Sequence, residues 1–333
     1  MPPADQNGLR SLSLFSGGGG LDIGFERAGF EHVASFDVLE IAGSLLRAAR
    51  PKWRIYAGAD GDVTQISWKD YRGAIDVLHG GPPCQPFSHA GKRRGADDVR
   101  DMIPEFVRAV LEIRPRAFVC ENVRGLTAAR FVGYLKENLY EPLGSIYNIR
   151  TFTLQASQFG IPQRRSRVFF VGFSDATDFK MFQEPVSTHI WQGDLRDNDR
   201  STGSELLPTM GAREALGLES IGFDALAPTL RSGLTGPRHS TSVVNSATAS
   251  RQWAELKIWP NGVAPDRQAA SAFIAKDGHF RLSIKDCMVL QGFPNDWPIK
   301  PPVYKALGLI GNSVAPPMAF AVAKSIAKVL VLR

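Results

Sequence analysis

Residues 80–91 read GGPPCQPFSHAG. Pro82 and Pro83 fix φ and carry no backbone N–H, so the chain leading into Cys84 is stiff and poor in donors. Gly80 and Gly81 before them permit close approach or unusual dihedrals. A lone cysteine reads either as a small buried hydrophobe or as a held nucleophile, and the rigid lead-in argues for the second. Two more groups could do chemistry. Glu121 and Asn122 close the apolar run RAFVCEN, where an acid either transfers protons or caps the next helix. Gln163, Arg165 and Arg167 alternate along QFGIPQRRSRVFFVGF, which predicts an amide and two guanidiniums on one face. That set suits a polar, anionic or base-edge ligand, or, for any one arginine, a salt-bridged strand edge.

These groups need a frame, and the first half of the chain supplies one. Segments RSLSLF, HVASFD, IDVLHG, RAFVCEN and RVFFVGF read as buried strands, with helical patterns such as LDIGFERAGF, LEIAGSLLRAAR and IPEFVRAVLEI between them. The alternation predicts an α/β fold with a mostly parallel, doubly wound sheet. Ligands in such sheets sit at the carboxyl ends of the strands. The first strand runs into LFSGGGGLDIGF, a glycine turn whose backbone donors can approach a ligand at a helix N-terminus, or simply a tight turn. Asp37 ends the next strand, 20 residues past Gly17, where an acid commonly grips ribose hydroxyls. The strict GxGxxG pattern fails, because the third glycine would fall on Ile23. Asp62, in GADGDVTQI, is a possible adenosine contact or an ordinary cap.

The sequence has 333 residues, 44% hydrophobic and 22% charged, ordinary for a soluble globular protein. Three widely spaced cysteines and no Cys/His cluster predict neither a disulfide framework nor a metal site. The start, MPPADQNGLR, lacks an apolar signal core, and no run of about 18 apolar residues is evident, so neither export nor a membrane partner is expected. The +6 net charge is unevenly spread. Residues 175–224 hold ten acidic and four basic side chains, whereas 225–270 hold two acidic and five basic. KRR at 92–94 and RRSR at 164–167 are dense basic spots, either solvated surface or phosphate contacts. Residues 175–270 are rich in Gly, Pro, Ser, Thr and Asn and predict a loop-rich unit with short strands. The end, APPMAFAVAKSIAKVLVL, predicts a helix with proline in its first turn.

Taken in order, FSGGGG, GGPPCQPFS, ENV, QRRSR, RLSIKDCMVLQGFP and GNSVAPPMAFAVA closely resemble the DNA (cytosine-5) methyltransferase family, bacterial type, over residues 11–330 apart from 175–270. The resemblance implies a Rossmann-like S-adenosylmethionine-dependent domain over 1–178, completed by a C-terminal helix at 303–333. A target-recognition domain would occupy 179–302, its variable part 179–270. It implies that Cys84 adds to carbon 6 of a cytosine flipped out of double-stranded DNA, and that Glu121 holds ring nitrogen 3. Arg165 and Arg167 would bind the cytosine carbonyl and support the loop. Pro82, Pro83, Asn122 and Gln163 would line the base. S-adenosyl-L-methionine would meet Phe15, Ser16, Gly17, Gly19, Gly20, Leu21, Asp37, Val38, Asp62, Val63, Asn312, Ser313 and Val314. Val38 stands where many relatives carry an aromatic residue. Residues 84–102 would form a lid, with Lys92, Arg93 and Arg94 near phosphates. Thr229, Leu230 and Arg231 would read DNA. No metal is implied. The cysteine usage fits a reduced, cytoplasmic setting, a nucleoid-associated monomer is expected, and pairing with a restriction endonuclease follows by analogy with the family. The competing readings are a tRNA cytosine-5 methyltransferase, whose Cys-Phe-Thr signature is missing here, an inactive DNA-binding relative, and a nicotinamide oxidoreductase.

Overall fold

The computed structural model describes residues 1–83, 101–194, 206–230, 240–244, 246–272, 278–300 and 302–332. The chain divides into two compact units. The first comprises Met1–Leu154, Ser166–Pro185 and Ala319–Arg333. Its elements alternate as β1 (Arg10–Leu14), α1 (Gly20–Arg27), β2 (Glu31–Asp37), α2 (Glu40–Ala49), β3 (Ile55–Ala57), β4 (Val77–Gly80), α3 (Ile103–Ile113) and β5 (Ala117–Val123). Next come α4 (Val132–Leu135) and α5 (Glu141–Gly144), joined by a π-helical turn over Lys136–Tyr140, and then β6 (Asn148–Gln155). After β7 (Gln163–Arg164), β8 (Ser166–Phe173) returns to this unit, followed by α6 (Ala176–Met181).

The strands form a seven-stranded sheet in the order β3-β2-β1-β4-β5-β8-β6. β3, β2, β1, β4 and β5 run parallel, and β8 is antiparallel to β5. Parallel central strands are covered on both faces, which is why Ser11 and Ser13 are buried along with Leu12 and Leu14. α2 buries Ala42, Leu45 and Leu46 at helical spacing. α3 starts with Pro104 in its first turn, buries Phe106, Val107, Val110 and Ile113, and stops at Arg114 in the left-handed region. β3 has three residues, and edge strand β6 is half exposed. Neither shows the continuous apolar run of a buried strand, so sequence periodicity passes over both. The crossovers from β1 diverge, to β2 on one side and β4 on the other, which creates a topological switch point at the carboxyl ends of β1 and β4.

The second unit comprises Gln155–Arg165 and Val186–Met318. It carries short parallel pairs: β9 (His189–Ile190) with β10 (Leu207–Pro208), β7 with β11 (Ala227–Pro228), and β12 (Ile258–Ala264) with β13 (Phe280–Ser283). Its helices are α7 (Ala212–Ala215), α8 (Ala247–Glu255), α9 (Arg267–Ser271), α10 (Ile284–Gln291) and α11 (Val303–Asn312). α12 (Pro316–Leu330) begins here and continues into the first unit. The expected boundary at 178/179 therefore falls at Pro185/Val186, and residues 155–165 and 303–318 join the second unit. Backbone bonds explain the transfer of 155–165. The Thr188 N–H donates to the Gln158 carbonyl at 3.0 Å, and the Ala227 N–H to that of Pro162 at 2.8 Å.

The single C-terminal helix expected at 303–333 is two helices, α11 and α12, interrupted at 313–315. Contrary to the reading of composition, residues 303–330 are long and apolar enough to cross a membrane, but 78% of their most apolar stretch is buried inside the fold. Core packing accounts for that apolarity. A Cβ placed on Gly24 of α1 would lie 2.4 Å from Ala319 Cβ of α12, so only glycine permits the observed approach.

Candidate active site

The carboxyl end of β4 runs through Gly80 and Gly81 into Pro82 and Pro83. Beside it, β5 ends in Glu121 and Asn122. In the antiparallel pair, Val123 lies opposite Arg167 and Glu121 opposite Phe169. Glu121 and Arg167 are therefore diagonal neighbours on one face, within reach of each other. Arg167 Nε lies 2.8 Å from Glu121 Oε1, and both side chains are about nine-tenths buried. Glu121 also presses on the proline turn: a Cβ on Gly81 would lie 2.8 Å from Glu121 Oε2. Asn122 Nδ2 donates to the Pro82 carbonyl at 3.1 Å, and the Met102 N–H donates to that of Pro83 at 3.2 Å. The segment leading into Cys84 is thus pinned by side-chain and backbone bonds, besides its own ring constraints. Cys84 itself lies outside the described residues, as do Lys92, Arg93, Arg94 and Arg231.

The carboxyl end of β1 carries the glycine turn. Phe15, Gly17 and Gly19 all take positive φ, and Gly19 caps α1. Asp37, at the end of β2, accepts from the Gly17 N–H through Oδ2 and from the Leu39 N–H through Oδ1, each at 2.7 Å. Burial raises its pKa against those two bonds. Val38 beside it is exposed. Asp62 caps a short 3-10 turn, its Oδ1 accepting from the Thr64 N–H at 3.0 Å, and Val63 and Leu21 are buried. Ser16 Oγ pairs with Ser13 Oγ at 2.9 Å. Beneath the turn lies a network that sequence reading missed. Ser35 Oγ donates to Asp22 Oδ1 at 2.6 Å and pairs with His32 Nε2 at 2.9 Å. Burial pushes Asp22 up to about 6 and His32 down to about 4. His79, stacked on Phe25, is pushed down to about 3, again by burial. The only sequence signal for this network was a set of polar residues inside otherwise apolar elements.

The alternating trio does not stay together. Gln163 belongs to β7, β8 begins only at Ser166, and the division between units falls at Arg165/Ser166. The expectation that all three share one face is corrected accordingly. Arg167 pairs with Glu121, whereas Gln163 and Arg165 bond inside the second unit. Arg165 Nη2 donates to the carbonyls of Gly311 and Ser313 at 2.9 and 2.7 Å. Gln163 is fully buried, and its Nε2 donates to the Leu290 carbonyl at 2.8 Å and to Gln291 Oε1 at 2.9 Å. Thr229 Oγ1 donates to the Arg164 carbonyl, and Leu230 is buried, so Thr229 is the partly exposed member of that pair. Asn312 is exposed at the end of α11, while Ser313 and Val314 are buried.

The switch point, the glycine turn after β1 and the antiparallel β8 define a Rossmann-like methyltransferase fold. S. pombe Dnmt2 methyltransferase shares the fold, with a TM-score of 0.59 at 18% identity over 97% of this chain and 98% of that one. A family model described as C-5 cytosine-specific DNA methylase matches residues 9–328. The type II methyltransferase M.NgoMIV of Neisseria gonorrhoeae is 34% identical over 96% of this chain and 97% of its own length. M.Eco47II of Escherichia coli is 30% identical over 96% of this chain and 79% of its own. The chain belongs to the C-5 cytosine-specific DNA methylase family, and it is an enzyme that methylates carbon 5 of cytosine in DNA.

Proposed function

We propose that the enzyme acts on one cytosine in a specific double-stranded DNA sequence, through Cys84, on a base flipped out of the helix, with S-adenosyl-L-methionine as methyl donor. The observation that carries this reading is the buried Glu121–Arg167 pair, 2.8 Å apart and packed against Gly81 just before the Pro-Pro-Cys turn. An acid and a guanidinium side by side can meet the N3/exocyclic-amine edge and the carbonyl of one pyrimidine. Intrahelical cytosine is out of reach, and extruding it costs a few kcal/mol.

The residues around the glycine turn fit the donor. Each Asp37 oxygen uses one lone pair on a backbone N–H, leaving acceptor capacity for ribose hydroxyls beside exposed Val38. The N-terminus of α1 suits a methionine carboxylate. When bound, the donor supplies an electrophilic sulfonium methyl group. Phe15, Ser16, Gly17, Gly19, Gly20, Leu21, Asp62, Val63, Asn312, Ser313 and Val314 are proposed as its further contacts. The thiolate of Cys84 attacks carbon 6 while Glu121, in its protonated form, gives its proton to nitrogen 3, offsetting the negative charge that builds on the ring. Carbon 5 becomes nucleophilic, and the bound donor would supply the methyl group to it, its neutral thioether being the leaving group. Loss of the carbon-5 proton then expels Cys84 and restores the ring. Asn122 holds Pro82, whose carbonyl keeps a second lone pair for the exocyclic amine. Arg165 and Gln163 act from within their own unit.

Lys92, Arg93, Arg94, Thr229, Leu230 and Arg231 are proposed to meet DNA. The type II relatives support pairing with a restriction endonuclease in the cytoplasm, and we take the enzyme to be a monomer. The test is transfer of labelled methyl from S-adenosylmethionine to unmethylated duplex DNA and, side by side, to tRNA. Label in 5-methylcytosine of duplex DNA is expected, and none with Cys84→Ala, which should still bind the donor. Preferential label on tRNA, or product from Cys84→Ala, would refute it. Duplex DNA with 5-fluorocytosine at the target should trap a covalent adduct, because the proton at carbon 5 has been replaced.

A further inference from the structure

The second unit contains a directional relay of buried amides. The Leu230 N–H donates to Gln163 Oε1 at 3.2 Å. Gln163 Nε2 donates to Gln291 Oε1 at 2.9 Å. Gln291 Nε2 donates to the Ser313 carbonyl at 2.7 Å. Each amide is oriented as acceptor towards Leu230 and donor towards Ser313, and both glutamines are fully buried. Flipping either would set donor against donor or acceptor against acceptor. Buried amides in series polarise one another, and a broken link leaves a group without water to replace its partner. Gln291 is the last residue of α10, followed by Gly292 at φ 79. A Cβ there would lie 2.3 Å from Ile161 Cδ1, so the helix end is held tightly beside β7.

We propose that Gln291 is a positioning residue that ties the Thr229–Leu230 segment to the Ser313 turn. The inference rests on the reading above, in which the first segment meets DNA and the second meets the methyl donor. Gln291 itself is fully buried. It links the two segments, 83 positions apart in the chain, through Gln163. Arg165 supplies a second bond to the Ser313 carbonyl, so breaking the relay loosens that turn rather than releasing it.

The experiment compares wild type, Gln291→Met and Gln163→Met by hydrogen exchange and by steady-state methylation of unmethylated genomic DNA. Both variants are close in volume to glutamine and lack its amide. In Gln291→Met, exchange should quicken about tenfold in residues 311–315 and about threefold in 227–230, where Gln163 keeps its bond to the Leu290 carbonyl. In Gln163→Met it should quicken in 227–230 while 311–315 stay protected, because Gln291 still reaches Ser313. The KM values for DNA and for S-adenosylmethionine should both rise about three- to tenfold in Gln291→Met, with kcat changed less. Unchanged exchange at 227–230 in Gln291→Met overturns the relay. Altered exchange with both KM values unchanged overturns the positioning role. A wild type that leaves duplex DNA unmethylated condemns the functional reading instead, while the exchange data still judge the relay.

Discussion

Two carboxylate sites in the first unit are built on opposite principles. Glu121, at the end of β5, is buried against a guanidinium, with Arg167 Nε at 2.8 Å. Asp22, in the first turn of α1, is also buried, but its side-chain donors are hydroxyls, Ser35 at 2.6 Å foremost, and its pKa is pushed up to about 6. A cation supplies charge complementarity that a hydroxyl cannot. The Glu121–Arg167 side is therefore charge-matched. The glycine-turn side carries a buried acid whose raised pKa costs stability at neutral pH.

The contrast can be broken from either side. The largest effect expected is on catalysis: Glu121→Gln keeps the shape, removes the acid and should lower kcat about 10²- to 10⁴-fold, read from single-turnover methylation. Little loss of rate would remove Glu121 from the chemistry. Next, Arg167→Ala leaves a buried carboxylate without its cation and should destabilise the fold by about 3–5 kcal/mol in denaturant unfolding. A loss below about 1 kcal/mol would place the pair in the class of weak surface bridges.

Asp22→Asn should do the reverse. The carboxyl titrates at about 6 in the fold and near 3.8 unfolded. Below the lower value both states are protonated and the substitution confers no advantage. As pH rises through this window the unfolded state ionises first, so the native protein loses stability. Above about 6 both are ionised and the full cost of burial stands. Asp22→Asn should therefore stabilise by about 1–3 kcal/mol at pH 8 and not at pH 3.5, seen as a pH-dependent gap in Tm. Equal Tm values at pH 8 would show that Asp22 is solvated. The smallest effect concerns His32. Its folded pKa of about 4 lies below the ordinary 6.5. The unfolded state protonates first on acidification, so stability falls as pH drops from about 6.5 towards 4. His32→Gln should reduce that loss by about 1 kcal/mol, less than the full pKa difference, because the folded ring is only partly buried and can become solvated.

Much of this was legible before any coordinates. The buried strands, the helix that Pro104 opens, the glycine turn with Asp37 20 residues past Gly17, and the Pro-Pro-Cys segment all obey rules that act over a few residues. Alternation, capping and ring constraint are local, and local rules can be read from spacing. Tertiary structure alone decided that Arg167 meets Glu121 while Arg165 turns to Gly311 and Ser313, though the two arginines are two positions apart. It alone joined Gln163 to Gln291 and placed Asp22 against Ser35. Those partners depend on strand register and on where one compact unit gives way to the next. Both are set by how distant segments pack, and no short-range periodicity records them.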